Sequence, residues 1–167
     1  MRSKTMASRL SAGPASSLLS LLLLLAPPAV VPAQVYTWTT NNGTITITSY
    51  NGGGGDVLIP SGINGRPVTS IGDNAFYQNM NLSSVTIPDS VITIGARAFG
   101  FCPYLSQVTI GNRVTTIGER AFSYFPRVTT MAIPDSVSTI GDGAFEYSSL
   151  FGISLGKSAT GSHGSVL

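Results

Sequence analysis

A 23-residue pattern recurs along this chain, and its copies begin at four valines: Val68, Val91, Val114 and Val137. The first copy opens with V-T-S-I-G-D-N-A-F and the third with V-T-T-I-G-E-R-A-F, while the fourth departs from the pattern after Ser148. A fixed period of this length is typical of proteins in which each repeat is one structural unit that buries its apolar face only against its neighbours. The period therefore predicts a stacked-repeat architecture.

Residues 1–33 have the layout of a secretory signal. Three basic residues come first, a leucine-rich stretch covers 18–26, and short residues at the end place a cleavage site after Ala33. The alternative is a membrane anchor, but the uninterrupted apolar stretch is short for a span of roughly 20 residues, and three prolines lie at its end. We predict a cleaved signal peptide, hence a secreted or cell-surface protein with no membrane span after cleavage.

Charge and cysteine content exclude some classes of function and stabilisation. The chain has nine Lys and Arg against seven Asp and Glu, but three of the basic residues lie in 1–33, so the remainder has a net charge of −1. Nucleic-acid binding needs Lys and Arg clustered on one face, and no such cluster is present in the sequence. Cys102 is the single cysteine, so no internal disulfide can form and stability must come from stacking.

Aligning the copies by 23 residues places apolar residues in constant columns. The most regular columns hold isoleucine at 71, 94, 117 and 140, and phenylalanine, always after alanine, at 76, 99, 122 and 145. Val85-Thr86-Ile87 alternates with the period of a strand, and Pro88 ends it. A second short strand over 91–94 is followed by a turn at Gly95 and about one helical turn. These features predict a mainly β solenoid.

The two ends of the chain differ from the repeats. Residues 34–56 contain two alternating segments joined by Asn42-Gly43, residue types that suit a hairpin turn, and we predict an N-terminal hairpin cap followed by a glycine-rich loop. The repeats are predicted over 57–155. Residues 156–167 form an irregular C-terminal tail, which is either a short disordered tail or the end of a fragment of a longer array.

The motif L-x-x-V-x-I-P-x-S-V-x-x-I-G-x-x-A-F resembles the BspA-like class of leucine-rich repeat, over about 59–155. The resemblance implies a curved leucine-rich-repeat β-solenoid with a binding or adhesion function rather than catalysis. That class commonly has cysteine three residues after the phenylalanine. Here only Cys102 occupies that column, and Asn79, Phe125 and Ser148 replace it in the other copies.

Two sets of residues are candidates for a binding surface. The resemblance implies binding along a concave sheet, whose outward strand positions are Ser84, Thr86, Gln107, Thr109, Thr130 and Ala132. The second set is an aromatic column, with Gln78 as its fourth member, formed by Phe101, Tyr124 and Tyr147. Its rings either form an exposed stripe or pack between coils.

No catalytic, metal or cofactor site is predicted. The single histidine, His163, lies in the tail, and no histidine lies near Cys102. Asp89 and Asp135 share a turn column that favours side-chain bonds to nearby backbone over Ca²⁺ binding. A column of hydroxyl residues at 70, 93, 116 and 139 also suggests ice binding as a function. The neighbouring threonine columns are interrupted, which argues against it.

The leading hypothesis is therefore a secreted, non-enzymatic protein-binding or adhesion module. Its partner would be an extracellular-matrix or cell-surface protein. The alternative is a structural spacer, or a truncated fragment of a larger surface protein whose activity lies in a missing domain.

Overall fold

The computed structural model describes residues 35–154 and 160–161. The predicted signal peptide over 1–33 lies outside the described residues, as does the predicted tail apart from 160–161. The described strands are β1 (Tyr36–Asn41), β2 (Thr44–Tyr50), β3 (Gly55–Leu58), β4 (Gly62–Ile63), β5 (Arg66–Ile71), β6 (Leu82–Thr86), β7 (Thr93–Ile94), β8 (Gln107–Thr109), β9 (Thr116–Ile117), β10 (Thr130–Ala132), β11 (Thr139–Ile140), β12 (Gly152–Ser154) and β13 (Thr160–Gly161).

One long sheet receives a strand from every repeat. Its order is β1-β2-β5-β7-β9-β11-β13, with β4 paired to the side of β5. Strand β1 pairs antiparallel with β2, and β4 pairs antiparallel with β5. The other described pairings in this sheet are parallel. Thr93 pairs with Thr116 and Ile94 with Ile117, so each residue stands beside its counterpart 23 positions away. The stacked-repeat prediction is confirmed.

The second strand of each repeat lies on another side of the coil and forms two separate sheets. Strands β3, β6 and β8 make one parallel sheet, and β10 and β12 make the other. Val85 pairs with Val108 across β6 and β8, whereas β8 and β10 are not paired. The two sheets thus leave an interruption between successive repeats.

The core between these sheets is a ladder of like residues. The rings of Phe76, Phe99, Phe122 and Phe145 are stacked, with successive centroid separations of 4.8, 5.3 and 5.8 Å. All four side chains are buried, and so are the isoleucines of the neighbouring column. Each coil therefore covers the apolar face that the next coil would otherwise expose.

The hairpin of β1 and β2 covers the first coil. Its turn residues Asn42 and Gly43 have φ of 47° and 81°, the left-handed pair that a two-residue hairpin requires. The ring of Tyr50 stacks on Phe76 at 4.9 Å, and Tyr36 contacts Phe76 at 6.4 Å. The predicted hairpin cap is confirmed, with these tyrosines extending the phenylalanine ladder.

The predicted helical turn after each glycine is replaced by a third ladder between coils. Asn74 and Gln78 have positive φ (59° and 57°), which a helical turn cannot contain. Alternate amides bond to the next coil, as Phe76 N donates to Ala98 O at 2.7 Å, whereas the amides of Ala75 and Tyr77 close tight local turns. Within the described residues, no helix is long and apolar enough to cross a bilayer.

Candidate functional site

The predicted aromatic column forms a stack on the surface of the protein. Phe101 lies 3.9 Å from Tyr124, and Tyr124 lies 4.6 Å from Tyr147, measured between ring centroids. Tyr77, which is the residue before Gln78, extends the stack by an edge contact with Phe101 at 5.7 Å. We call these four residues the aromatic stripe. The predicted residues come together, but the fourth member is Tyr77 rather than Gln78.

The aromatic stripe is both packed and accessible. Tyr124 is 37% exposed and Tyr147 is 65% exposed. The two alternatives from the sequence, an exposed stripe or packing between coils, are therefore combined, because the rings pack on one another while their edges face solvent.

The backbone beneath the aromatic stripe adopts an unfavourable conformation. Phe101, Tyr124 and Tyr147 have φ of 58°, 59° and 55°, in the left-handed region. This region costs an L-residue other than glycine roughly 1 kcal/mol or more. A stacked aromatic pair regains about 0.5–1.5 kcal/mol. Stacking along the stripe thus offsets part of the strain in the turns that carry it.

An apolar groove runs beside the aromatic stripe. Its volume is about 350 Å³, and its lining contains no charged side chain: Met80, Phe101, Pro103, Tyr124, Pro126 and Tyr147. Met80, Pro103 and Pro126 occupy one repeat column, two residues after the column that holds Phe101 and Tyr124. This column was not predicted from the sequence, although its apolar character in a surface turn was the available signal.

Ion pairs border the opposite side of the aromatic stripe. Nε of Arg120 donates to Oε2 of Glu146 at 3.0 Å, and Nη1 of the same arginine contacts Oε1 of Glu119 at 2.7 Å. The hydrogen bond to Glu146 is the largest cause that raises the pKa of Arg120 above its ordinary value. Arg97 lies 3.9 Å from Glu119. The aromatic stripe therefore separates an apolar groove from a row of paired charges.

The predicted strand face is divided by the structure. Thr86, Gln107, Thr109, Thr130 and Ala132 are exposed, whereas Ser84 is partly buried and its Oγ donates to Oδ1 of Asp56 at 2.7 Å. Ser84 and Thr86 on β6 lie beside Gln107 and Thr109 on β8. Strand β10, which carries Thr130 and Ala132, belongs to a different sheet. An open surface depression of about 830 Å³, which we call the slot, lies over β8, β10 and Gly152 of β12.

Asp73 and Asp89 bond to the backbone of the next coil. Oδ1 of Asp73 accepts from the amide of Ala96, and Oδ1 of Asp89 accepts from the amide of Asn112, both at 2.7 Å. Each bond joins one coil to the next. The interpretation of Asp89 as a turn residue bonded to backbone agrees with this geometry.

Cys102 is buried, and its Sγ lies 3.2 Å from the carbonyl oxygen of Phe76, to which the thiol donates. Burial raises the pKa of this thiol to about 11, although a hydrogen bond from the backbone of Asn79 acts in the opposite direction. The thiol is therefore neutral at physiological pH, the form that is a poor nucleophile.

We expect Cys102 to react slowly with a thiol reagent at pH 8. Its pKa is shifted from 9.0 to about 11, so the thiolate fraction falls by about a hundredfold relative to the unfolded chain. Reaction with Ellman's reagent should be at least that much slower in the folded protein than in concentrated urea. Equal rates in the two states would show that the thiol is not buried as described.

Comparison with known proteins agrees with this architecture. A family model described as the BspA type leucine rich repeat region matches residues 67–165 in six copies. No curated protein is significantly similar to the chain in sequence.

Solved structures of bacterial repeat proteins have the same fold. A leucine-rich repeat protein from Bacteroides capillosus is 35% identical with a TM-score of 0.68, and the match covers 75% of this chain and 96% of that one. The leucine rich repeat protein of T. pallidum is 28% identical with a TM-score of 0.61, covering 73% and 69%. A leucine rich cell surface protein from Faecalibacterium prausnitzii is 32% identical with a TM-score of 0.57, covering 75% and 42%. With its 23-residue coils and ladders of like residues, the chain belongs to the BspA-type leucine-rich repeat family.

Proposed function

We propose that this chain is a secreted, non-enzymatic module that binds proteins or mediates adhesion at the cell surface. The observation that carries the proposal is the aromatic stripe, an exposed stack of Tyr77, Phe101, Tyr124 and Tyr147 beside an apolar groove. Tyrosine is enriched among the residues that dominate binding energy at protein interfaces. The partner that we propose is an extracellular-matrix or cell-surface protein.

Preorganisation supports the aromatic stripe as a contact surface. Tyr124 is held between two rings, at 3.9 and 4.6 Å, so binding would immobilise little additional side-chain freedom. Each rotamer-rich side chain that is ordered on association costs about 0.5–1.5 kcal/mol. A stack that is already ordered avoids much of this cost, which favours association with another protein surface.

The chemistry of the aromatic stripe favours a protein over a carbohydrate partner. Sugars bind on the open face of an aromatic ring, but the faces of Phe101 and Tyr124 cover each other. The exposed ring edges, Met80 and the prolines of the groove instead suit apolar side chains of a protein. The ion pairs of Arg120 provide a polar rim.

The exposed strand residues form a second, weaker candidate surface. Thr86, Gln107 and Thr109 are adjacent on paired strands. Their side chains are uncharged and include no aromatic anchor, so we expect this face to contribute less binding energy than the aromatic stripe.

Replacing Tyr124 by alanine tests the proposal. We expect the wild-type protein to bind a member of a panel of purified extracellular-matrix proteins, and the variant to bind it at least tenfold more weakly, which corresponds to about 1.4 kcal/mol. Surface plasmon resonance would measure both affinities. Thr39→Ala is the control, because it truncates an exposed side chain of β1 outside both candidate surfaces and should leave the affinity within about twofold.

Two results would count against the proposed surface or function. If Tyr124→Ala binds as tightly as wild type, the aromatic stripe is not the contact surface. If no matrix or cell-surface protein binds at micromolar concentration, the alternative of a structural spacer is favoured. Comparing the urea midpoints of the variants separates lost binding from lost folding.

A further inference from the structure

The apolar groove beside the aromatic stripe crosses successive coils rather than following one coil. Met80, Pro103 and Pro126 come from three successive coils, and the three rings of the stripe that line the groove do so as well. Coils joined by parallel ladders lie about 4.8 Å apart. A ligand that lies along the groove therefore meets similar side chains at multiples of this spacing.

The coil spacing favours one peptide conformation in the groove. Two coils span about 9.6 Å, and one turn of a polyproline II helix, three residues with a rise of about 3.1 Å each, spans about 9.3 Å. Residues three apart in such a segment would face equivalent positions two coils apart, such as Met80 and Pro126. An extended strand repeats every ~6.7 Å and an α-helix turns every ~5.4 Å, so neither stays in step with the coils.

The lining of the groove has the chemistry that binds proline-rich segments. Such segments dock in grooves lined by aromatic rings, and three rings of the aromatic stripe line this groove. Tyr124 and Tyr147 are exposed, and their hydroxyls are donors for the carbonyl groups of a polyproline II segment, which has no internal hydrogen bonds. Met80 is exposed too, and its flexible thioether adapts to the shape of a neighbour.

A cation lies next to the groove. Tyr104 and Arg127 directly follow the groove residues Pro103 and Pro126 in the chain. Both are exposed, and the guanidinium carbon of Arg127 lies 4.8 Å from the centroid of the Tyr104 ring. This contact between two coils holds the positive charge beside the two prolines. An acidic residue of a bound segment would complement that charge.

We propose that the groove binds a proline-rich segment of the partner protein in the polyproline II conformation, with an acidic residue of that segment beside Arg127. The segment would lie along the aromatic stripe, across the coils, with every third residue against alternate coils. This inference rests on the proposed function, since it specifies which part of the partner contacts the stripe. A segment that is preformed before binding loses little conformational freedom, as does the stack of rings that receives it.

Nuclear magnetic resonance of methionine methyl groups tests the proposal. Met80 lines the groove and Met131 is buried beneath the slot, so one methyl group reports on the site and the other is a reference. The probe is the capped peptide E-P-P-Q-P-P-Q-P-P-Q-E, in which all glutamines share one face of a polyproline II helix. We expect it to shift the Met80 signal, with saturation below millimolar concentration, and to leave the Met131 signal unchanged.

An isomeric peptide tests the three-residue period. The sequence E-P-P-Q-P-Q-P-Q-P-P-E has the same composition, but it places a glutamine on every face of the polyproline II helix. No face then offers an unbroken row of prolines to the groove. We expect this isomer to bind at least fivefold more weakly than the probe.

Two variants connect the result to the groove and to its bordering charge. Tyr124→Ala removes the central ring of the stripe and should weaken binding of the probe at least tenfold, whereas Thr39→Ala should have no effect. Wild type should prefer the probe over the same peptide with lysine at both ends by about threefold. Arg127→Glu should reverse this preference.

Three outcomes would overturn the proposal. One is that the probe at millimolar concentration leaves the Met80 signal in place. Another is equal binding of the two isomers, and the third is a shift at Met131 instead of Met80, which would place the peptide at the slot. These measurements need only the wild-type protein, so they remain decisive even if a variant fails to fold.

Failure of this proposal and failure of the proposed function give different results. If a matrix protein binds wild type and loses affinity for Tyr124→Ala while the probe does not bind, the proposed function stands and the proline-rich segment is wrong. If the probe binds as expected and no matrix or cell-surface protein does, the groove recognises the segment but the proposed class of partner is wrong.

Discussion

Replacing Phe122 by alanine is expected to lower the free energy of unfolding by about 3–5 kcal/mol. The side chain is fully buried, and its ring contacts Phe99 at 5.3 Å and Phe145 at 5.8 Å on its two faces. It also meets the edge of Phe125 at 5.7 Å. Truncation removes apolar burial and leaves a cavity between three coils, which cannot collapse because backbone hydrogen bonds fix the coil spacing.

Urea unfolding, followed by far-ultraviolet circular dichroism, measures this loss. Tyr104→Ala is a matched control, because Tyr104 is 53% exposed and contacts Arg127 with its ring centroid 4.8 Å from the guanidinium carbon. An exposed cation–π contact contributes about 0.5–1 kcal/mol. If both variants lost a similar amount of stability, the phenylalanine ladder would not be the core that holds the coils together.

The effect of Phe122→Ala should extend to cooperativity. In a stack where each coil contacts only its neighbours, the free energy of unfolding is close to a sum of coil and interface contributions. Weakening the interfaces of one central coil allows the last coils to unfold before the first. We therefore expect a shallower transition, seen as a smaller dependence of the free energy on urea concentration.

The sequence predicted the core well because burial repeats with the coil. Phe99 and Ile94 recur at a constant interval, and in a solenoid an interval in sequence becomes a contact in space. The hairpin cap was predictable for a local reason, since Asn42-Gly43 encodes its own turn geometry. Features that follow from the constant repeat interval or from local turn chemistry were therefore predictable.

The turns after each glycine were not predictable in the same way. Tyr124 adopts a left-handed conformation that bulky side chains rarely take, and only the bonds between coils impose it. The predicted helical turn does not form, because alternate amides bond to the next coil and the amides between them close tight three-residue turns. The same geometry brings Tyr77, rather than Gln78, beside Phe101.

The slot depends on a difference between two coils rather than on what they share. The sequence shows Phe125 where the preceding copy has Cys102. Phe125 lies in the coil that carries β10, and the ladder between β8 and β10 is missing. Columns that repeat predict the fold, whereas columns that vary produce the candidate sites.

Replacing Gly118 by alanine is expected to lower the free energy of unfolding by about 3 kcal/mol. An added Cβ would lie 2.6 Å from the carbonyl carbon of Gly95, 2.7 Å from the amide nitrogen of Ala96 and 2.9 Å from the carbonyl oxygen of Gly95. All three are backbone atoms of the preceding coil, so no side chain can rotate away. The coils must separate, and the hydrogen bond of 2.8 Å from Gly118 N to Ile94 O must lengthen.

Gly53→Ala is the matched control, because a Cβ at Gly53 meets no atom within 4 Å and its backbone is not left-handed. Thermal unfolding of the two variants separates crowding between coils from the general effect of replacing glycine, which we expect to be small or stabilising in the control. Equal midpoints would show that the coils can separate without cost.

Gly118 does not have a positive φ, so a turn requirement does not explain its identity. Close approach of neighbouring backbones does, and a side chain here would widen the spacing on which the phenylalanine ladder, the aromatic stripe and the slot all depend.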